Sequence, residues 1–348
     1  MWNNTRITRL IGIDYPILQG PMGGGFSTVE LLTKVSEAGG LGSYGAYTLT
    51  ADELRIIGKE IKSRTSKPFN INLWVSDVDS ELQDVTPQKI KEIERLYKPY
   101  FDELSVELPT ISAQIPSKFE SQMEVLFEIR PSVFSFIFGI PSPEILSECK
   151  KLGIATVGGA TTLDEALALE EAGVNAVIAA GFEAGGHRPS FLKAPDKSFM
   201  GLFTLIQQIK AKSKLPIIAA GGIMDGTGIG AALRLGADAV QLGTAFLACK
   251  ESNATALHRQ LLFSKAAENT VVSKSLTGRM GRMLENQIAN DIPYTQEVLP
   301  FPLQLRFLAS LKEAAIKQGR TDLASFWAGQ GAPLLKYTDV SRLMNALI

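Results

Sequence analysis

Two histidines occur among 348 residues, and their settings differ. His187 lies in Phe182-Glu-Ala-Gly-Gly-His-Arg188, close behind an apolar run that ends at Ala180. An imidazole titrates near neutrality, which suits a general base or a donor to an anion. Glu183 and Arg188 are expected to orient this loop or to pair at the surface. His258, in Ala-Leu-His-Arg-Gln, reads as a surface or internally satisfied histidine. Asn70 and Asn72 stand two apart in an apolar run, so both face one side of a strand. Asparagine is poor in strands, and either a polar ligand or internal bonding would have to satisfy the pair.

Glycine marks a second kind of site. Gly221-Gly222 and Gln241-Leu242-Gly243-Thr244 each close an apolar run. Amides without a neighbouring Cβ, together with the Thr244 hydroxyl, can cradle a phosphate beside a helix N-terminus. Gly226-Thr-Gly-Ile-Gly-Ala231 matches a variant of the dinucleotide fingerprint. It begins four residues after Gly222 and sits in the seventh strand–helix unit, so it reads as helix initiation with Asp225 as N-cap. No His/Asp/Glu set has metal-ligand spacing, and no G-x-S-x-G elbow occurs, so neither a metal centre nor a serine hydrolase is expected.

These residues need elements to hold them. Eight short apolar runs, at residues 15–22, 40–44, 68–75, 133–139, 154–158, 176–180, 216–220 and 239–244, alternate with amphipathic helical patterns. Alternation of this kind predicts βαβ units and a parallel sheet. Eight units in roughly 250 residues predict a closed (β/α)8 TIM barrel, with an open doubly wound sheet as its rival. Active sites of such barrels lie at the C-terminal strand ends, with phosphate held after strands seven and eight. The expected division is a barrel over 1–250, a small inserted or lid region over 251–302, and a closing helical segment over 303–348. Residues 253–265 read as the eighth helix, 270–275 as a strand, and 303–318 as a helix. Tyr294 and Tyr337 are tail residues within conceivable reach of the pocket.

Composition narrows the class. Hydrophobic residues are 45% and charged residues 20%, enough for a sizeable core. A net charge of -1 argues against a nucleic-acid binder. No apolar stretch reaches the roughly 20 residues of a membrane span. Only Cys149 and Cys249 occur, which argues for reduced thiols and a cytoplasmic protein.

Three segments together resemble the FMN-dependent nitronate monooxygenases, formerly called 2-nitropropane dioxygenases. They are Gly181-Phe-Glu-Ala-Gly-Gly-His-Arg188, Ala219-Ala-Gly-Gly-Ile-Met-Asp-Gly226 and Val240-Gln-Leu-Gly-Thr-Ala-Phe246. The likeness extends from Tyr15-Pro-Ile-Leu-Gln-Gly-Pro-Met-Gly-Gly to Phe326-Trp-Ala-Gly-Gln330. It implies that Asn72, Gly185, Gly186, Gly221, Gly222, Gln241, Leu242, Gly243 and Thr244 contact FMN. Gly20, Pro21 and Met22 would lie beside the flavin ring, and His187 would be the active-site histidine. His187 would hold the nitronate oxygens or remove the α-proton of a neutral nitroalkane. The substrates implied are an alkyl nitronate, such as propionate 3-nitronate, and dioxygen, giving a carbonyl compound and nitrite. Similar sequences often carry glutamine where this chain has Ala180, which removes one side-chain bond to the flavin. Flavin-dependent enoyl-acyl-carrier-protein reductases and NADH:quinone reductases share parts of the pattern. A barrel that merely binds a phosphorylated metabolite is the non-catalytic alternative.

Overall fold

The computed structural model describes residues 2–112 and 114–348. Its barrel strands are β1 (Ile17–Gln19), β2 (Gly42–Gly45), β3 (Phe69–Trp74), β4 (Val133–Ile137), β5 (Ala155–Ala160), β6 (Ala176–Ala180), β8 (Ile217–Ala220) and β9 (Ala239–Leu242). A two-residue strand, β7 (Gly186–His187), lies outside the barrel, so the seventh and eighth apolar runs become β8 and β9. All eight barrel strands are parallel, in the order β1-β9-β8-β6-β5-β4-β3-β2. The ring closes where Leu18 bridges Leu41, with Leu41 N–H donating to Ile17 O and Gln19 N–H donating to Leu41 O, both at 2.9 Å. The expected (β/α)8 barrel is therefore present.

Strand alternation sorts residues into two layers. Leu18, Val133, Val157, Ile178, Ile218 and Ala239 face inward and pack on Ile7 and Ile11 of the N-terminal helix Arg6–Ile11. Phe134 and Phe136 face outward and are fully buried under the helices. Each such burial contributes roughly 1.5–3 kcal/mol. Helix starts are set by short polar side chains: Thr28, Thr50, Thr86, Ser142, Thr162 and Asp225 each accept from an amide of the first turn. Asp225 Oδ1 takes the Gly228 amide at 2.9 Å, as the helix-initiation reading required.

The expected eighth helix is corrected. Residues 253–265 contribute only the short helix Ala256–Leu262, whose Leu262 is buried in a separate apolar cluster with Phe307 and Leu311. The helix against the barrel beside Val29–Glu37 and Gly226–Leu235 is instead the C-terminal Val340–Leu347. Its Val340, Leu343, Met344 and Leu347 join the core between barrel and helices. Buried Glu251 ties it in: Oε1 pairs with Lys34 at 3.0 Å and Oε2 accepts from Val340 N–H at 3.2 Å. Residues 303–318 also differ from expectation, forming two helices, Leu303–Phe307 and Ala309–Lys317, that meet at Leu308.

Residues 270–284 form an antiparallel pair, β10 (Thr270–Ser273) and β11 (Gly281–Leu284). β11 pairs in turn with β7, placing Gly281 opposite His187 and Arg282 opposite Gly186. This small sheet holds the His187 loop from above. No described helix is long and apolar enough to cross a membrane.

Candidate active site

His187 is reached from both sides of the small sheet. Its Nε2 lies 2.9 Å from Thr277 Oγ1, and that hydroxyl donates its one proton to Arg279 O at 3.0 Å. Thr277 must therefore accept from His187, which puts the imidazole proton on Nε2 and leaves Nδ1 as a lone pair. Nδ1 has no hydrogen-bond partner among the described residues and is not sealed off. Burial, and secondarily the charge of Arg279, pull the His187 pKa down to about 3. The ring is neutral at ordinary pH, a base rather than a cation.

Aromatic rings enclose it. Trp74, Trp327 and Phe301 lie edge-on to the imidazole, with centroids at 5.4, 4.9 and 5.6 Å, and Phe138 follows at 6.5 Å. Tyr47 stacks on Trp74 at 3.5 Å, and burial raises its hydroxyl pKa to about 12. Arg279 lies over Phe138 and Phe301, at 4.1 and 4.6 Å from the ring centres. These side chains come from β3, the loops after β2 and β4, and the tail.

Arg188 and Glu183 orient the loop, and the alternative of a surface pair is not what forms. Arg188 is buried and donates to Ala180 O at 2.9 Å, Gly181 O at 2.8 Å and Ser198 O. Glu183 accepts from the Leu202 amide with both carboxylate oxygens, each at 3.0 Å. His258 is the satisfied histidine: it is buried, with Nε2 2.9 Å from Trp327 O. Tyr294 is exposed and meets Phe199, while Tyr337 packs against the barrel–helix core. Neither joins the rings around His187.

The second region is the rim over β6, β8 and β9. Gly185, Gly222 and Gly243 are exposed there, among largely buried neighbours. Their amides donate to no described group, and neither does the amide of Thr244, first residue of the helical turn Thr244–Leu247. A Cβ at Gly243 would meet nothing within 4 Å, so space stands open over that amide. Gly221 and Gly222 have φ of +125° and +69°, a region that favours glycine. Gly20 abuts this rim, its amide donating to Leu242 O at 2.8 Å.

Other candidates are placed as follows. Gln241 is half-buried and faces the barrel mouth in register with Ala220 and Ala180, its side-chain amide without a partner among the described residues. Leu242 is buried under the rim, whereas Pro21 and Met22 are half-buried beyond β1. Gly186 is drawn into the ladder with Arg282. Thr244 Oγ1 accepts from the Gly329 amide at 2.9 Å, so the hydroxyl anchors the tail as well as bordering the cradle. Ala180 offers only backbone, and its carbonyl is already taken by Arg188. Asn70 is wholly internal, bonding Ser43 Oγ and both Ser135 Oγ and N–H. Asn72 donates to Ser135 O and Oγ at 3.1 and 3.0 Å, and its Oδ1 accepts from no described group. It lies two residues before Trp74, on the same strand face.

Trp74, Phe301, Trp327, Thr277 and Arg279 were not singled out from sequence. Only the Gly278-Arg-Met-Gly-Arg282 segment hints at them, since two arginines set among glycines in an apolar stretch call for partners. Among the described residues, no group of three or more His, Cys, Asp or Glu could hold a metal ion. A surface hollow of about 580 Å³ between helices Phe119–Ile129 and Pro143–Lys151 lies on the outer wall and lacks such chemistry.

Comparison with known proteins decides the family. A family model for nitronate monooxygenase matches residues 4–348. The chain belongs to the nitronate monooxygenase family. A relative from Staphylococcus haemolyticus (strain JCSC1435), described as a probable nitronate monooxygenase, is 36% identical, with 100% of this chain and 97% of the relative covered. A solved structure of nitroalkane oxidase from Streptomyces ansochromogenes superposes with a TM-score of 0.88 at 33% identity, covering 98% of this chain and 96% of that one. FabK from Thermotoga maritima superposes at 0.74 with 29% identity, covering 99% and 94%. This family member is an oxidoreductase.

Proposed function

We propose that the protein is an FMN-dependent nitronate monooxygenase that oxidises small alkyl nitronates, such as propionate 3-nitronate, with dioxygen to a carbonyl compound and nitrite. The observation that carries this reading is the locked tautomer of His187: a neutral imidazole, its Nδ1 free of described partners, set among aromatic rings in the loop that also supplies Gly185 to a rim of amides unpaired among the described residues. The residues present fit FMN. The amides of Gly185, Gly222, Gly243 and Thr244 would hold its phosphate, and Gln241, Asn72 and the Gly20–Met22 turn would border its ring. When bound, FMN supplies the electron acceptor for the substrate carbanion.

The chain's own groups do the rest. Nδ1 of His187 takes the α-proton when a neutral nitroalkane is the substrate. Thr277 holds the imidazole in the tautomer that can do so. Trp74, Phe301 and Trp327 keep water from the reacting carbon. The nitroalkane oxidase likeness, stronger than the FabK likeness in both superposition and identity, supports this over a reductase that needs NADH or NADPH.

The test is His187→Asn, assayed with nitroethane and with propionate 3-nitronate. Nitroalkane turnover should fall by about 10²–10⁴, the usual contribution of a positioned base. FMN content should stay at the wild-type level. Unchanged turnover of both substrates would remove His187 from the chemistry.

A further inference from the structure

Arg279 is nine-tenths buried and incompletely satisfied. Its Nε donates to Asp79 Oδ1 at 2.7 Å, and its Nη2 donates to Ser76 O at 2.8 Å and pairs with Asp79 Oδ1 at 2.6 Å. Nη1 is enclosed and has no acceptor among the described residues. Phe138 and Phe301 interact with the guanidinium face, which leaves the in-plane Nη1 protons unpaired. A buried unpaired donor on a charged group costs free energy, and native proteins leave few of them.

Position gives the orphan a use. The Arg279 backbone carbonyl holds Thr277, which in turn holds His187, and both side chains contact Trp74 and Phe301. His187 cannot serve as the anion donor here. Its one proton is spent on Thr277, and Nδ1 would repel an oxyanion. The indole N–H groups of Trp74 and Trp327 and the Tyr47 hydroxyl also lack acceptors among the described residues, but they are neutral; beside a neutral base and aromatic walls, Nη1 is the charged donor that is left. Asp79 fixes that donor by also accepting the Phe301 amide at 2.8 Å.

We propose that Arg279 Nη1 holds the oxygens of the substrate's nitronate group, so that the enzyme selects the planar anion over the neutral nitroalkane. This inference rests on the nitronate reading above and assigns its recognition residue. Because Nε and Nη2 are committed to the protein, the grip is single-handed, suited to one small oxyanion.

Nitrate, a planar oxyanion that cannot react, is the probe. FMN-loaded wild type, Arg279→Lys and Arg279→Gln would be titrated with nitrate, following the visible flavin spectrum. Nitrate should bind wild type and compete with nitronate. Arg279→Lys keeps the charge but loses the planar fork stacked on Phe138 and Phe301, so it should weaken nitrate by less than Arg279→Gln does. Arg279→Gln should weaken nitrate by at least about tenfold, as expected for loss of a charge-assisted bond. The KM for propionate 3-nitronate should rise in step, with the KM for nitroethane changed by less than about threefold.

Nitrate binding that is undiminished in Arg279→Gln, or absent in wild type, overturns the proposal. So does an equal rise in KM for both substrates, which would mark a purely structural arginine. If Arg279→Gln does not retain FMN, the wild-type competition and the lysine variant decide. If nitronate is not turned over but nitrate still binds through Arg279, the functional reading fails and the anion site stands.

Discussion

The rim over β8 and β9 and the pocket around His187 differ in what they are made of. The rim presents backbone: three exposed glycines and the first amide of a helical turn, none paired with another described residue. The pocket is made of side chains, an imidazole, a guanidinium and four large rings, brought from positions as distant as Trp74 and Trp327. A backbone site needs only local turns, so its residues sit close together in sequence. A side-chain site needs the whole fold, including a small sheet that is no part of the barrel. The rim is accordingly the part to test by adding atoms, and the pocket by removing them.

On cofactor binding, the largest effect should come from filling the rim. Gly243→Ala adds a Cβ that touches no protein atom within 4 Å, so the apoprotein should keep its thermal stability. The methyl would occupy the phosphate's space, and FMN affinity should fall by about 10–100-fold, the scale on which a displaced anion contact is felt. Fluorescence titration of apoprotein with FMN reads this directly. Gly185→Ala sharpens the contrast: its Cβ would lie 2.6 Å from Ala328 and Gly329 backbone, so that variant should lose stability as well. Unchanged FMN affinity in Gly243→Ala would place the phosphate elsewhere.

A smaller effect is expected from the pocket's support. Thr277→Val removes the acceptor that keeps the proton on His187 Nε2. The released imidazole can then present either tautomer, and kcat/KM for nitroethane should fall by about tenfold, with FMN binding intact. A variant as active as wild type would show that the tautomer lock is irrelevant.

The smallest effect is a flat pH profile. A free histidine near 6.5 would lose base activity as pH falls through that value. His187, held down to about 3 by burial and by facing Arg279, stays neutral. Nitroethane kcat/KM should change less than about twofold between pH 7 and 5. The sign for stability is fixed by the same shift. The unfolded chain takes up the proton below about 6.5 and the folded chain resists it, so this contribution is intact above 6.5 and is lost as pH falls toward 3. Guanidinium titrations from pH 7 to 4 would follow that loss.

The same contrast explains what the sequence made legible. Barrel strands are buried on both faces, so β3, β4, β6 and β8 stand out as apolar runs, and the glycines that follow β6 and β8 mark the rim. Asn72 and His187 were visible as residues of the wrong type for their setting. Arg279 was not, because its setting exists only after residues 270–284 pair with β7, and Phe301 and Trp327 join the rings only by long-range packing. The eighth helix was misassigned for a related reason. Residues 253–265 continue the alternating rhythm, but their apolar side chains find the tail cluster, and the vacant place on the barrel goes to Val340–Leu347. Asn70 looked as informative as Asn72 until Ser43 and Ser135 were seen to absorb its hydrogen bonds.

The central claim, that rim and pocket serve one flavin reduced by nitronate, is tested by anaerobic titration of the FMN-loaded protein. Propionate 3-nitronate should bleach the visible flavin absorbance without pyridine nucleotide, and NADH or NADPH alone should leave it unchanged over the same period. Rapid bleaching by NADH or NADPH, with no response to nitronate, would contradict the account and make this barrel a reductase.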